Sequence, residues 1–453
     1  MKKIFKSIIG CAAAALIASM MSACSEKIDV QTGVEATPES GIKTCAMNFE
    51  GGVVGFDKTP TKAVSSNWTD GDKIYLIFYN GTTMVPGEAT YSAAGGWNVS
   101  YDGDLAIGNG LKCEVRYFVN ATFSSASLVS LNSETEIYEA INGSYEYNGT
   151  TLTVQASMTP KTGRIRFSGK SGEKIHLTGI STYTTYSPAL NTFSSTKSMI
   201  TTTVASDVYT PYIYGSLAEE NKKLGLVGSD FAFTRTCTDA VLKVGDSGYM
   251  AIPSESAHNN WRSGLYVTVG DIEFKMIPVA GLSSGFFLIG ETEVTNALYK
   301  EVTSSSSGTS NNIARISISY DDWESFITKI NYSTNLTFDI PTLEQWKYAY
   351  AGGKKSQGFT YSGSNNPGDV AWYEGNSGGS IHEVKTLAPN ELGIYDMSGN
   401  AGEFIKSSAS NVEYYGGYFN SSESGLTSTS RTGYISYTSS PSYAGLRMIL
   451  TCK

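Results

Sequence analysis

Cysteine and histidine are the side chains that most often carry metal or covalent chemistry, and both are sparse in this sequence. After residue 24 the cysteines lie far apart, at Cys45, Cys113, Cys237 and Cys452. A metal cluster needs closely spaced ligands, so this spread argues against one. The sequence does not decide whether these cysteines are free thiols or form disulfides, and four cysteines allow three sets of disulfide pairings. The histidines are scattered too, at His176, His258 and His382.

The segment from Ser407 to Ala444 has the composition of a binding surface. Its tyrosines are interspersed with serine, threonine, asparagine and glycine. Tyrosine gives a large contact area at a small entropic cost, and small polar side chains adapt to a partner. The alternative interpretation is a plain solvated loop. Abundant serine here is weak evidence for a serine nucleophile.

Size and charge narrow the classes of function. The chain has 453 residues and a formal net charge of −9. At ~150 residues per domain, it has room for about three domains. The sequence after the N-terminus has no cluster of basic residues, which argues against nucleic acid as a partner. Abundant glycine, serine and threonine, with few helical periodic runs, predict a mostly β fold.

The N-terminus indicates an export signal. An apolar run, Ile8 to Ile17, follows a basic start and is too short to cross a bilayer. The segment Met21-Ser22-Ala23-Cys24 resembles a bacterial lipobox; the alternative is an ordinary signal peptide with an incidental cysteine. The resemblance implies that residues 1–23 are a lipoprotein signal peptide and that Cys24 is acylated, which would anchor the protein in the outer membrane, at the cell surface. Residues 24–44 are polar and predict a flexible tether.

From Cys45 onwards, short alternating strands recur between turns, which predicts β-sandwiches. Trp68 to Asp72 and Gly163 to Ser168 resemble parts of the fimbrillin-like domains of bacterial surface fimbriae. That resemblance implies two tandem transthyretin-like β-sandwiches, at residues 45–157 and 158–284. Some family members are cleaved after an arginine in the early linker. Residues 25–65 contain no arginine, which favours a base subunit or an unpolymerised surface protein over a shaft subunit.

Residues 285–453 form the third predicted domain. Gly281 to Gly285 predicts a short hinge before it. Apolar residues spaced three to four apart predict a helix from Ser319 to Lys329. Thr342 is the predicted N-cap of a second helix, because a glutamate and a glutamine follow in its first turn.

Several motifs of this domain resemble the formylglycine-generating enzyme, or sulfatase-modifying factor, family. They are Gly290 to Thr295, Ile340 to Ala349, Val370 to Tyr373 and Pro389 to Asn400, in the family's order. The resemblance implies a C-type-lectin-like fold. The predicted fold class is therefore mostly β, with two tandem β-sandwiches followed by an α+β C-type-lectin-like domain.

The same resemblance defines what catalysis would need. Enzymes of the family bind copper and oxidise a substrate thiol through two closely spaced cysteines, and the segment from Gly416 to Arg431 has no cysteine. Copper(I) prefers thiolate ligands, so neither copper nor a catalytic residue is expected. Iron-dependent relatives use a histidine cluster, which three scattered histidines do not provide.

Calcium is the cofactor that the resemblance implies. In the family, the turn that contains the Gly-Asn pair holds calcium through side-chain and backbone oxygens. Carried over, the ligands would be Asp396, Gly399, Ala401 and Glu403, and such oxygens suit a hard cation. The alternative is a turn capped by the aspartate, with a buried glutamate and no ion.

The C-terminal segment also resembles the variable region of proteins diversified by retroelements, which share this fold and end in a motif similar to Gly445-Leu446-Arg447. By that resemblance, Gly416, Gly417, Arg431 and Arg447 are scaffold. The residues predicted to contact a ligand are Tyr418, Asn420, Ser422, Thr427, Thr429, Tyr434, Tyr437 and Tyr443.

The sequence thus predicts a lipid-anchored cell-surface protein, a fimbrial-type adhesin whose lectin-like module binds a ligand without catalysis. Its expected partners are a glycan or a protein on another cell, the membrane through the lipid, and fimbrial subunits. The alternatives are a maturation enzyme of the formylglycine-generating type and a purely structural fimbrial subunit. The missing cysteine pair is the feature that argues against the enzyme.

Overall fold

The computed structural model describes most of the chain after residue 41. The described residues are 42–54, 60–62, 68–125, 128–217, 223–237, 242, 244–253, 261–305, 310–406 and 411–452. Cys24, the predicted signal peptide and most of the predicted tether lie outside them. The described part is mostly β, with its helices in the C-terminal third, which confirms the predicted fold class. None of the helices described there is long and apolar enough to span a membrane.

The first ten strands belong mainly to a sheet that closes on itself. They are β1 (Ile42–Val54), β2 (Pro60–Lys62), β3 (Lys73–Asn80), β4 (Thr83–Ser92), β5 (Gly96–Asp102), β6 (Gly108–Val119), β7 (Thr122–Ser125), β8 (Leu128–Ser130), β9 (Glu136–Tyr147) and β10 (Leu152–Pro160). The order is β10-β9-β6-β3-β4-β5-β1-β2, and β1 also pairs in parallel with β10. Alternate side chains therefore enclose one core, where Phe49, Trp68 and Trp97 meet edge to face.

The middle strands form two sheets that enclose a second core. They are β11 (Gly163–Ser168), β12 (Lys174–Thr178), β13 (Ile180–Ser187), β14 (Thr192–Thr196), β15 (Ile200–Thr203), β16 (Ile213–Leu217), β17 (Lys223–Val227), β18 (Ala232–Thr236), β19 (Ser247–Ala251) and β20 (Arg262–Ser263). One sheet has the order β19-β11-β16-β13-β8-β7, and the other has the order β15-β12-β17-β18-β20. Phe167, Leu177 and Phe233 belong to this core. Because β8 pairs with β13, the hairpin β7–β8 joins the first region to this sandwich.

The C-terminal region mixes short strands and helices. Its strands are β21 (Leu265–Val269), β22 (Ile272–Val279), β23 (Phe287–Gly290), β24 (Phe338–Asp339), β25 (Ala371–Trp372), β26 (Ser398–Gly399), β27 (Gly402–Phe404), β28 (Asn411–Tyr415), β29 (Arg431–Ser436), β30 (Ala444–Gly445) and β31 (Ile449–Leu450). Its helices are α1 (Asn296–Thr303), α2 (Tyr320–Thr334), α3 (Leu343–Tyr350) and α4 (Pro367–Val370), with 3₁₀ turns at Gly353–Lys355 and Glu423–Leu426. One sheet has the order β21-β22-β23-β31-β24, another the order β29-β28-β27-β30, and β25 pairs with β26.

The hairpin β21–β22 belongs to the C-terminal sheet, although the predicted domain boundary lies after it, at residue 285. β22 pairs with β23 from Met276 to Val279, so the segment 281–285 is a turn between paired strands. The prediction of a hinge there is wrong. Alternation along a strand shows which of its faces is buried and not which sheet it joins, so the sequence did not reveal this pairing.

Both predicted helices are confirmed. Ser319 caps α2 by accepting from the backbone N–H of Asp322, and the helix buries Trp323 and Phe326. Thr342 caps α3 in a capping box with Gln345. These caps satisfy backbone groups that the first helical turn leaves open. The capped α3 delivers a fully buried Trp346 to the centre of the domain.

Candidate functional site

A buried ion-pair network lies at the centre of the C-terminal domain. Glu403 on β27 and Arg447, which follows β30, are both fully buried. Arg447 Nη2 donates to Glu403 Oε1 at 2.6 Å, and Arg447 Nε lies 3.0 Å from each carboxylate oxygen. Trp346 Nε1 donates to Glu403 Oε2 at 2.7 Å. Both oxygens of Glu403 are therefore occupied by donors from the protein.

Arg447 uses its remaining donors on the backbone. Its Nη1 donates to the carbonyl of Gly290 at 3.0 Å, and its Nη2 donates to the carbonyl of Tyr395 at 2.7 Å. Burying a charge is costly unless the charge is paired and hydrogen-bonded, and this guanidinium is both. The side chain thus joins β23, β27 and the loop before β26. This position is consistent with the scaffold role predicted for Arg447.

Two further carboxyl groups are buried next to this network. Burial raises the pKa of Asp396 to about 6, and a hydrogen bond from the backbone N–H of Lys385 at 2.7 Å opposes the shift. Burial, with the charge of Asp396, raises the pKa of Glu293 well above its usual value. Glu293 Oε1 accepts from Asn400 Nδ2 at 3.1 Å, whereas Oε2 has no hydrogen bond and lies 3.8 Å from Arg447. Glu293 thus combines a raised pKa with a carboxyl oxygen that has no hydrogen bond among the described residues.

The predicted calcium ligands lie in one tight turn but serve other contacts. Gly399 has φ 79° and is buried together with Ala401. Asp396 accepts a backbone hydrogen bond, and Glu403 is committed to a guanidinium and an indole. Within the described ranges, no three histidine, cysteine or acidic side chains are arranged to hold a metal ion. These residues therefore do not fit a calcium ion that needs Glu403 as a ligand, and calcium in this turn stays an untested prediction.

A glycine turn begins the segment predicted to contact a ligand. Gly416 and Gly417 follow β28 with φ of 95° and 75°, a region that favours glycine. A Cβ at Gly416 would lie 2.9 Å from the carbonyl oxygen of Met397, and one at Gly417 would lie 2.7 Å from Leu426. The turn therefore tolerates no larger residue without movement of its neighbours, which agrees with the scaffold role predicted for both glycines.

Four of the predicted contact residues belong to one neighbourhood. The rings of Tyr418 and Tyr443 stack at 4.7 Å, and Tyr443 also lies 5.7 Å from the ring of the buried Tyr414. Asn420 and Ser422 are exposed on the turn that follows Tyr418. We call Tyr418, Asn420, Ser422 and Tyr443 the tyrosine surface. It combines half-buried aromatic rings with exposed amide and hydroxyl groups.

The remaining four predicted contacts lie elsewhere. Thr427 and Thr429 occupy the next turn, where their hydroxyls lie 3.2 Å apart. Tyr434 is 60% exposed on β29, whereas Tyr437 meets the ring of Tyr320 edge-on at 4.8 Å and packs against the main core. Tyr434 lies within β29, whereas Tyr437 lies just beyond its last residue, Ser436. The structure therefore does not place Tyr434 and Tyr437 on one face.

An aromatic pair beside the tyrosine surface was missed by reasoning from the sequence. The rings of Trp372 and His382 stack at 3.7 Å with an interplanar angle of 7°. His382 Nε2 lies 2.9 Å from the carbonyl of Ser377, whose hydroxyl donates to the carbonyl of Phe419 at 2.6 Å. The loop that carries the pair is thus bonded to the turn of the tyrosine surface. The motif Val370 to Tyr373 marks the tryptophan in the sequence, but no local pattern shows that a histidine covers it.

The four described cysteines are free thiols. Burial raises the pKa of Cys113 and of Cys452 to about 12, and it also raises the pKa of Cys45 and of Cys237. The thiolate is the form that binds metals and attacks substrates, and a raised pKa keeps each of these thiols protonated. None of them lies between Gly416 and Arg431, where the family resemblance would place a copper site.

Comparison with protein families identifies the C-terminal region. Residues 263–451 match the family described as sulfatase-modifying factor enzyme 1-like domain. The C-terminal region is a sulfatase-modifying factor-like domain. The match covers less than half of the chain. It begins just before the hairpin β21–β22, in agreement with the pairing of that hairpin with β23.

Three known proteins illustrate what the chain is similar to. Chaperone protein LppX of Paenibacillus barcinonensis is 45% identical over 84 residues, which are 15% of this chain and 30% of that protein. The chain therefore spans less than a third of that relative.

Two of the three are solved structures. Treponema denticola variable protein 1 is 22% identical, with a TM-score of 0.37, and the match covers 41% of this chain and 98% of the other. A fimbrial protein from Bacteroides ovatus is 8% identical, with a TM-score of 0.25, over 91% of this chain and 100% of the other. Likenesses of this size do not show a shared function.

Proposed function

We propose that the chain is a lipid-anchored surface adhesin whose sulfatase-modifying factor-like domain binds a ligand without transforming it. One observation carries the proposal. The segment from Gly416 to Arg431 has no cysteine, and it instead presents Tyr418, Asn420 and Ser422 on a turn beside Tyr443. Aromatic rings with adaptable polar neighbours are suited to recognition. A reactive thiol pair is absent from the same segment.

The position of this surface suits binding because its support is rigid. Gly416 and Gly417 fix the turn, and the network of Arg447 and Glu403 fixes the strands beneath it. A surface held in its binding shape loses less entropy when a ligand arrives. The stacked pair of Tyr418 and Tyr443 is ordered in the same way. The expected ligand is a glycan or a protein on another cell.

The anchor is the second part of the proposal. The export signal and the lipobox-like segment that ends at Cys24 support attachment to the outer membrane through lipid. Incorporation of labelled palmitate tests it. We expect label in the wild-type protein and none in a Cys24→Ala variant, and a labelled variant would overturn the anchor. The same anchor would allow contact with fimbrial subunits at the cell surface.

A glycan and protein array tests the binding function. The purified chain is compared with an Asn420→Ala/Ser422→Ala variant and with a control, Ser325→Ala/Thr328→Ala, on the exposed side of α2. We expect the wild type and the control to bind the same ligand, and the first variant to bind at least about tenfold more weakly. Equal binding by all three proteins, or binding by none, would overturn the assignment of the tyrosine surface.

The enzymatic alternative has a test of its own. The purified chain is incubated with a cysteine-containing peptide, copper and oxygen, and aldehyde formation is followed by mass spectrometry. We expect the peptide to keep its thiol, because the segment after the paired glycines has no thiolate pair to bind copper. An aldehyde product would contradict a non-catalytic domain.

A further inference from the structure

Arginine and tyrosine side chains cluster on the outer face of the middle sandwich, outside the C-terminal domain. Along β11 buried and half-buried residues alternate, and Arg164 and Arg166 are among the half-buried, outward ones. The neighbouring strand β19 places Tyr249 opposite Arg166. Tyr249 is 55% exposed, and its ring lies 5.5 Å from the ring of Tyr209. Four of these side chains therefore share one patch of the sheet face.

Arg166 lies against two aromatic rings. Its Cζ lies 4.5 Å from the ring centre of Tyr209 and 4.8 Å from that of Tyr212. Such cation–π contacts hold a guanidinium in one orientation and shield its faces from water. The π systems of the rings attract the cation but do not replace a carboxylate as an acceptor for its N–H groups.

The charge of Arg166 has no partner within the described part of the chain. It makes no ion pair and no hydrogen bond there, and its Nε is buried without an acceptor. Other described arginines do have carboxylates: Arg116 with Glu114, Arg262 with Glu273, Arg431 with Glu413, and Arg447 with Glu403. A desolvated, oriented guanidinium gains most from a carboxylate, which its planar fork binds through two parallel hydrogen bonds.

We propose that Arg166, Tyr209, Tyr212 and Tyr249 form a binding site for an acidic sugar of the uronic acid class. The carboxylate binds the open edge of the Arg166 guanidinium, and the exposed ring of Tyr249 packs against the C–H face of the pyranose. One cation that has no carboxylate partner among the described residues and one exposed ring match a single sugar unit. The net charge of −9 opposes docking of an extended acidic protein, whereas a ligand with one carboxylate meets little repulsion. Arg166 lies on β11, Tyr249 lies on β19, and Tyr209 and Tyr212 lie just before β16, so the site is independent of the tyrosine surface.

The chain contains a matched control for this geometry. Arg262 lies over the ring of Tyr266, with its Cζ 3.4 Å from the ring centre. Its Nη2, however, donates to Glu273 Oε1 at 2.9 Å. Arg262 thus has the same aromatic contact as Arg166, with its charge already paired. A change at Arg262 alters charge and stacking without removing an open guanidinium.

Saturation-transfer NMR with the purified chain tests the proposal, because it detects weak ligands. Two probes are methyl glucuronide, which has a carboxylate, and methyl glucoside, which has none. The third is N-acetylglutamate α-amide, whose side chain carries a carboxylate without a sugar ring. We expect binding of the glucuronide, at least about tenfold weaker binding of the glucoside and of the glutamate derivative, and a similar loss with Arg166→Gln. Arg262→Gln should bind as the wild type does.

Several results would overturn the site. The wild type could bind glucoside and glucuronide equally, or fail to bind the glucuronide. Arg166→Gln could bind the glucuronide as the wild type does, or Arg262→Gln could lose as much affinity for it as Arg166→Gln. Equally tight binding of the glutamate derivative would indicate a peptide site and would also overturn the sugar assignment. Arg166→Lys distinguishes lost binding from misfolding. We expect this variant to keep the wild-type melting temperature and still to bind the glucuronide more weakly, because lysine keeps the charge without the planar fork.

Discussion

Arg431 lies within residues 418–443, the segment that carries the tyrosine surface and that we call the presenting segment, whereas Arg447 follows it, and the two arginines lie in opposite environments. Arg447 is fully buried and bonded to Glu403, Gly290 and Tyr395. Arg431 has a side chain that is 47% exposed and pairs with Glu413 at 2.6 Å. The resemblance noted in the sequence predicted a scaffold role for both arginines. The difference teaches that the domain keeps its structural charge in the core, and that exposed side chains of the presenting segment, such as Arg431, can change at little cost in stability.

The largest expected effect is that of Arg447→Met. The change leaves the carboxylate of Glu403 buried without its cation, which costs about 3–5 kcal/mol in the free energy of unfolding. The exposed control, Arg431→Met, should cost less than about 1 kcal/mol. Urea denaturation followed by tryptophan fluorescence measures both. Equal losses in the two variants would contradict a division between buried support and exposed segment.

A smaller effect should separate two tyrosines of the presenting segment. Tyr437→Ala removes a ring that packs against Tyr320 and the core, so we expect a loss of about 2 kcal/mol. Tyr434→Ala removes an exposed ring and should change the free energy of unfolding by no more than about 0.5 kcal/mol. Thermal denaturation distinguishes the two. Should Tyr434→Ala prove the more destabilising change, the assignment of the two faces is wrong.

The pH dependence of stability tests the buried carboxyl groups. The pKa values of Glu293 and Asp396 are raised in the folded protein, so folding binds protons there. Their stabilising contribution is complete below the unfolded pKa, near ~4, and is lost as pH rises through the folded pKa of each group, which is about 6 for Asp396. Glu293→Gln mimics the protonated acid. Its melting temperature, relative to the wild type, should therefore rise between pH 5 and pH 8.

A constant difference between Glu293→Gln and the wild type across that pH range would show that Glu293 keeps an ordinary pKa. Asn400→Ala serves as a comparison. It removes the amide that donates to Glu293 Oε1 while the acid stays in place, so its stability should keep the pH dependence of the wild type.

The smallest expected effect is that of chelation. Because Arg447 and Trp346 occupy both oxygens of Glu403, the turn does not fit calcium bound through that residue. We expect the melting temperature with EDTA and with millimolar calcium to agree within about 1 °C. A rise on addition of calcium, reversed by EDTA, would mean that Glu403 exchanges its partners for the ion.

The sequence predicted well where one residue type has one structural meaning. Thr342 is the N-cap that its side chain and the residues after it suggested, a helix follows Ser319 as the apolar spacing predicted, and Gly416 and Gly417 adopt the positive φ that glycine permits. It failed where the structure depends on which strands pair with each other. The pairing of β22 with β23, and with it the turn at 281–285, left no signal within either strand.

The candidate site shows the same limit. Composition identified the tyrosines of the presenting segment, but it did not show that Tyr434 is exposed while Tyr437 packs against the core. The stack of Trp372 on His382 depends on a loop bonded through Ser377. Among the described residues, no acceptor lies close enough to bond the buried Nε of Arg166. The sequence alone does not show which side chains surround this arginine.

The central claim is that the C-terminal domain holds a ligand and leaves it chemically unchanged. The most direct measurement is the intact mass of the array ligand before and after a long incubation with the purified chain in air, with copper present. We predict that the recovered ligand keeps its mass and that Asn420→Ala/Ser422→Ala recovers less of it. A ligand whose mass changes with the wild-type protein, and not with buffer alone, would contradict the account.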